Sequence, residues 1–348
     1  MKQVVLLLIT IFLSAHPGKA QIYPDAAFHY GFIAAHKPSL NYLIRGDIKG
    51  VKVRFYKRET GEKNWHYSYR YPYKGLGYSY INLGNAEELG TAHAIFGYFK
   101  SPWAERRKFS AHYQFSAGLA YLNQGNIAIG THINAYVDFD ADISYNITDK
   151  HRIYFAFGAM HYSNGAVQMP NLGLNLFTYR LGWQYNPTYK PTDKPNKPPV
   201  MNKKYIVSGV ISTGIKEIKP PGGDKYWASL LQVKLYRNLS FRRDIYIGHD
   251  IIYDNAMYAF AEREGKALNS RWDALRMGIH LGHTAYIGKL GALAELGILY
   301  KTPASNQVPF FERLGLKYKF TNNFALQIAI RAHLEKADMV EWGAEYCF

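Results

Sequence analysis

Residues 129–147 read Ile129-Gly130-Thr131-His132-Ile133-Asn134-Ala135-Tyr136-Val137-Asp138-Phe139-Asp140-Ala141-Asp142-Ile143-Ser144-Tyr145-Asn146-Ile147. The odd positions carry Ile, Thr, Ala, Val, Phe and Tyr. The even positions carry Gly, His, Asn, Asp and Ser, with one Tyr. A period of two places these sets on opposite faces of a β-strand. One face suits hydrocarbon and the other a polar lumen. The same alternation returns at 325–334, where Leu326, Ile328, Ile330, Ala332 and Leu334 interleave with Gln327, Arg331 and His333. It returns again at 339–348, where Val340, Trp342, Ala344, Tyr346 and Phe348 interleave with Glu341 and Glu345. In a soluble sandwich this pattern would bury its apolar face between two sheets. In a bilayer only a closed barrel lets strands cross, because open edges leave backbone groups unpaired in hydrocarbon. The reading is all-β: a single antiparallel transmembrane β-barrel of roughly 14–16 strands.

The rest of the chain fits export to a membrane. Residues 1–20 have the form of a secretory signal peptide: Lys2, an apolar run Val4–Leu13, and small residues before Gln21. That run is too short to span a membrane, and no later segment supplies about 20 uninterrupted apolar residues. Apolar residues are 48% of the chain and aromatics 16%, with 30 Tyr, a composition suited to interfacial girdles. Cys347 is the single cysteine, which excludes an intrachain disulfide. The formal charge is +16. Export argues against nucleic acid as its partner, and anionic lipid phosphates fit a basic rim better. The terminal Phe348 on an amphipathic last strand resembles the closing strand of bacterial outer-membrane barrels.

Punctuation divides the chain. Thr148-Asp149-Lys150 and Thr321-Asn322-Asn323 read as short periplasmic turns, and the polar stretches 58–72, 217–225, 256–270 and 302–308 as outer loops. The segment 187–200, rich in Pro and Lys, cannot be a strand. It is read as a long periplasmic turn within one barrel spanning 21–348; a linker between two domains is the alternative.

One hairpin carries chemistry. Its rising arm ends His161-Tyr162-Ser163-Asn164-Gly165, and its descending arm begins Pro170-Asn171-Leu172-Gly173-Leu174-Asn175. His161 and Ser163 are two apart and share a face. The odd positions of both arms hold the bulky apolar set, Phe155, Phe157, Phe177 and Tyr179 among them, so His161, Ser163 and Asn175 fall on the lipid side at the end away from Thr148–Lys150. A serine beside a histidine is the minimal nucleophile and base for ester cleavage. Against this, Asn164-Gly165 and Pro170-Asn171 are common loop chemistry, and a His at a barrel rim is usually an interface residue. A polar trio facing lipid is costly without a purpose.

The combined pattern His-Tyr-Ser-Asn, Pro-Asn-x-Gly and a residue twelve after the serine resembles the PagL-type lipid A 3-O-deacylases and the acyloxyacyl hydrolase-like outer-membrane proteins. The likeness is best over about 90–186, includes Gly130-Thr131-His132-Ile133-Asn134-Ala135, weakens over 21–89, and is not seen beyond 200. It implies Ser163 as nucleophile, His161 as general base, and the Gly165 N–H with the Asn171 side chain as oxyanion donors. Where that family has Glu this chain has Asn175, which can orient an imidazole through its carbonyl oxygen but brings no charge.

The expected function is therefore an outer-membrane serine esterase that removes an ester-linked acyl chain from lipid A. Its partners would be lipopolysaccharide in the outer leaflet and membrane lipids. No metal or organic cofactor is implied. A channel is the alternative, its lumen lined by Asp138, Asp140, Asp142, Arg331, Glu341 and Glu345; a lipid-binding barrel without catalysis is another. No chemistry is legible in 201–348.

Overall fold

The computed structural model describes residues 22–59, 61, 63–185, 205–303, 308–334 and 336–348. The expected signal peptide 1–20, the segment 187–200 and residues 304–307 of the expected outer loop 302–308 lie outside them. The first barrel consists of β1 (Tyr23–Ala34), β2 (Ile48–Arg58), β3 (Tyr73–Asn82), β4 (Thr91–Glu105), β5 (Phe109–Leu122), β6 (Ile133–Asn146), β7 (His151–Ser163) and β8 (Leu174–Tyr185). Neighbours pair antiparallel in chain order, and β8 returns to β1 with Asp25 opposite Gln184 and Ala34 opposite Asn175. A second barrel consists of β9 (Tyr205–Glu217), β10 (Lys225–Ser240), β11 (Arg243–Asp254), β12 (Leu275–Ile287), β13 (Leu290–Lys301), β14 (Phe310–Lys319), β15 (Phe324–His333) and β16 (Lys336–Cys347). It closes through β16 on β9, with Val340 opposite Ile215.

The single large barrel is thus corrected to two closed barrels of eight strands. In chain order, residues 187–200 come after the last strand of the first barrel, which ends at Tyr185, and before the first strand of the second, which begins at Tyr205. Closure is a non-local pairing of first and last strands, and strand periodicity carries no signal for it. An eight-stranded barrel is just wide enough for side chains to fill, and charged side chains do so here. In the first lumen Lys52 pairs with Asp138 at 2.6 Å, Arg180 bridges Asp138 and Asp140, Arg54 pairs with Asp25 at 2.8 Å, and Asp142 takes Lys100 at 2.7 Å and His112 at 2.9 Å. In the second, Lys234 pairs with Glu295 at 2.7 Å, Arg313 bridges Glu295 and Glu341, Arg331 pairs with Asp338, and Lys317 with Glu345. The six residues expected to line one wide channel are therefore buried, ion-paired and divided between two narrow lumens.

The outward faces are the reverse. Phe28, Leu76, Ile95, Leu119, Ile133, Ile143, Ile211, Leu281, Leu296 and Leu314 stand exposed around the two barrels. Charged interiors with apolar exteriors suit hydrocarbon, where a closed ladder satisfies every backbone group.

Among the described residues three short helices interrupt the loops: α1 (Pro38–Asn41), α2 (Asn64–Ser68) and α3 (Ala256–Arg263). None among the described residues is long and apolar enough to cross a membrane. The stretch 58–72, expected as an outer loop, begins on the last residue of β2 and joins it to β3 at the same end as Thr148–Lys150. Its length serves packing: Trp65 and Tyr69 cluster with Phe99, and Ile287 of the second barrel packs against them. Arg242 of the second barrel donates to the Ser68 carbonyl at 2.7 Å, its guanidinium 5.4 Å from the Tyr69 ring centre. At the opposite end the Glu217 N–H donates to the Ala166 carbonyl at 3.0 Å. The barrels thus meet at both ends.

The end of the first barrel that holds Ser163 is plugged. Leu40, Leu43, Ile48, Leu83, Leu89, Leu122, Ile129, Tyr162 and Leu174 form one buried cluster. It gives the loops 35–47, 83–90, 123–132 and 164–173 a solid floor.

Candidate active site

His161 and Asn175 are direct cross-strand partners on β7 and β8. Their side chains meet on the outward face, His161 Nδ1 lying 2.6 Å from Asn175 Oδ1. Ser163, two residues beyond His161, is buried. The trio was expected to face lipid bare. It does share the outward side of β7 with Phe155 and Phe157, but loop 164–173 folds back over it, and His161 and Asn175 are only half-exposed.

That loop is held by side chains. The Asn164 backbone N–H, which can only donate, meets Asn171 Oδ1 at 3.1 Å. This turns Asn171 Nδ2 toward Ser163 Oγ, also at 3.1 Å. The Gly165 N–H donates to the same oxygen at 3.1 Å, and Ser163 Oγ donates in turn to Asn171 Oδ1 at 3.2 Å. Two donors therefore converge on the serine oxygen itself, next to the place where the oxyanion of an acyl group bonded to that oxygen would form. The Asn164 side chain ties the loop to its surroundings, donating to Thr131 Oγ1 at 3.1 Å and to the Gln168 carbonyl at 2.9 Å, and accepting from the Ala166 N–H at 3.0 Å. Ala128 receives the Leu172 and Gly173 N–H groups at 2.7 and 3.1 Å. The stretch 130–135 thus enters through Thr131, which supports Asn164.

Two glycines are required by geometry. Gly173 has φ +76°, and a Cβ there would come within 2.9 Å of the His161 ring. Gly165 has φ +66°, and a Cβ would strike Val340 of the second barrel at 2.3 Å, with Ile330 behind it. β15 and β16 therefore wall one side of the serine loop.

His161 and Ser163 share no hydrogen bond in this structure; the serine hydroxyl is turned toward Asn171 and Gly165. Such contacts are often loose before substrate binds. Sequence reasoning missed His36. It stands just beyond β1, its Nε2 3.0 Å from the Leu172 carbonyl and its Nδ1 3.2 Å from Asn175 Nδ2. A lone histidine two residues before the first residue of α1 carries no signal. The wall from Ile330 and Val340 was missed for the same reason that two barrels were: only tertiary closure reveals it.

Comparison with known proteins follows the barrels. Residues 49–184 match the model of the PagL lipid A 3-O-deacylase family, and residues 204–348 match the C-terminal domain model of acyloxyacyl hydrolase. The second match corrects the expectation that no kinship extends beyond 200. Among curated proteins none matches. Among solved structures, the crystal structure of the outer membrane enzyme PagL aligns at 15% identity over 45% of this chain and 97% of its own, with a TM-score of 0.33. A KdgM porin aligns at 7% identity over 73% of this chain and 93% of its own, with a TM-score of 0.20. One family model lies on each barrel, and the chain belongs to the PagL family of lipid A 3-O-deacylases, carrying in addition the family's acyloxyacyl hydrolase C-terminal domain.

Proposed function

We propose that this protein is an outer-membrane serine esterase that releases an ester-linked acyl chain from lipid A in the outer leaflet. The observation that carries this reading is the convergence of the Gly165 N–H and Asn171 Nδ2 on Ser163 Oγ, beside a histidine whose Nδ1 is held by Asn175. The site lies on the outward face of the first barrel at its plugged end, where an acyl chain can approach from the membrane without leaving hydrocarbon.

In this mechanism Ser163 turns toward His161, and His161 Nε2 removes the hydroxyl proton as Oγ attacks the acyl carbonyl. The Gly165 N–H and Asn171 Nδ2 then hold the tetrahedral oxyanion. Collapse breaks the ester bond, and His161 returns its proton to the departing alkoxide oxygen, which leaves as a hydroxyl. Water, deprotonated by His161, attacks the acyl-enzyme and frees a fatty acid and Ser163. Asn175 keeps Nδ1 as the protonated nitrogen, so Nε2 stays available as the base. Asn brings no negative charge, so the imidazolium formed in each step is less stabilised than beside a carboxylate.

Pairing in the two lumens favours a lipid-facing esterase over a channel. Burying charges across both interiors leaves chemistry to the outer face. Mass spectrometry of lipid A incubated with the purified protein and with its Ser163→Ala form tests the proposal. Loss of one acyl chain only with the unaltered protein supports it.

A further inference from the structure

We propose that His36 is a positioning residue that sets the amide orientation of Asn175 and, through it, the tautomer of His161. The inference rests on the Ser163–His161 reading of the site. It follows from the direction in which three hydrogen bonds must run.

The Leu172 carbonyl can only accept, so His36 Nε2 at 3.0 Å must carry the proton. In a neutral imidazole Nδ1 is then an acceptor. The group facing it at 3.2 Å must donate, which makes it the amide nitrogen of Asn175. The Asn175 oxygen is thereby turned to His161, 2.6 Å from Nδ1. His161 must hold its proton on Nδ1, and Nε2 is left with a free lone pair, the state a general base needs.

A carboxylate at position 175 would need no such anchor. Both of its oxygens accept, and either would select the Nδ1–H tautomer. An amide has two unlike ends, and the reversed amide would present N–H to His161 and select the tautomer in which Nε2 is blocked. The carbonyl of Leu172, read through His36, breaks this ambiguity. His36 is thus the partner that makes Asn a workable orienting group here.

Glutamine can replace the two functions of His36, since its amide supplies one donor and one acceptor; phenylalanine supplies neither. The experiment compares His36→Phe, His36→Gln, and His36→Phe in an Asn175→Glu background, each as purified full-length protein acting on lipid A. In a Ser-His-Asp enzyme an amide that imposes the wrong tautomer costs about 10⁴-fold in kcat. His36→Phe permits the wrong tautomer without imposing it, so a drop of about 10- to 100-fold in kcat is expected against that limit, with little change in KM. His36→Gln should recover most of the loss, and the Glu background should make His36→Phe nearly silent.

A second readout needs no substrate. Nitrogen NMR of His161 should show Nε2 unprotonated in the unaltered protein and partly protonated in His36→Phe. An unchanged kcat in His36→Phe, a loss in His36→Gln equal to that in His36→Phe, or an unchanged His161 tautomer would each overturn the role of His36. Activity persisting in Ser163→Ala would overturn the serine reading instead, and the tautomer measurement would then decide His36 alone.

Discussion

Gly165 of the first barrel rests against Val340 of the second, so closely that a methyl group on the glycine would lie 2.3 Å from the valine Cγ2. The serine loop is therefore a contact between barrels. The Glu217 N–H caps the Ala166 carbonyl one residue further on. A misplacement of about 1 Å at a reacting group can cost about 10²-fold in rate. Val340→Trp, which pushes on Gly165, should lower kcat on lipid A about 10- to 100-fold while both barrels fold. Leu281→Trp, a control at an exposed outward position of the second barrel, should leave kcat unchanged. Equal rates in the two variants would show that the second barrel does not shape the serine loop.

Asn175 sets a second test. Removing its oxygen in Asn175→Ala frees the His161 ring and should reduce kcat by about 10²-fold or more, a loss of the size typical for general-base catalysis. Asn175→Glu should retain or raise kcat by placing charge beside the imidazolium. A carboxylate there also favours the charged ring in the resting enzyme, so the neutral base is present only at higher pH. The acid limb of the pH–rate profile should move upward in Asn175→Glu. A limb that stays in place would separate Asn175 from the base.

The strands were largely legible in the sequence, and their closure was not. Alternation over 129–147 gave the faces of β6 correctly: Asp138, Asp140 and Asp142 are buried inside, while Ile133, Phe139 and Ile143 stand outside. The period of two is a local signal, because successive side chains must point to opposite sides. The pairing of Ala34 with Asn175, or of Val340 with Ile215, joins residues far apart in the chain. Nothing in either strand announces its partner. The same limit hid His36, which reaches Asn175 only once β1 has closed on β8. It also misplaced 58–72, whose Trp65 and Tyr69 pack with Phe99 against Ile287 of the second barrel.

The second lumen should be fragile to single charge deletions. Arg313 is fully buried among Glu295, Glu341 and Asp250. Arg313→Ala leaves three carboxylates facing one another without their common partner. Breaking a buried network from one side costs about 3–5 kcal/mol. Urea unfolding of the variant in detergent or vesicles should show a loss in that range. An unfolding midpoint equal to that of the unaltered protein would mean that the network is not what holds this lumen.

The central claim is that Ser163 attacks an acyl ester of lipid A with His161 as its base. The most direct measurement is mass spectrometry of lipid A exposed to purified protein, with Ser163→Ala and His161→Ala in parallel. The account predicts that the unaltered protein removes one ester-linked acyl chain, that each variant is slower by about 10²-fold or more, and that both variants keep their barrels. Undiminished acyl release by the Ser163→Ala protein would contradict it.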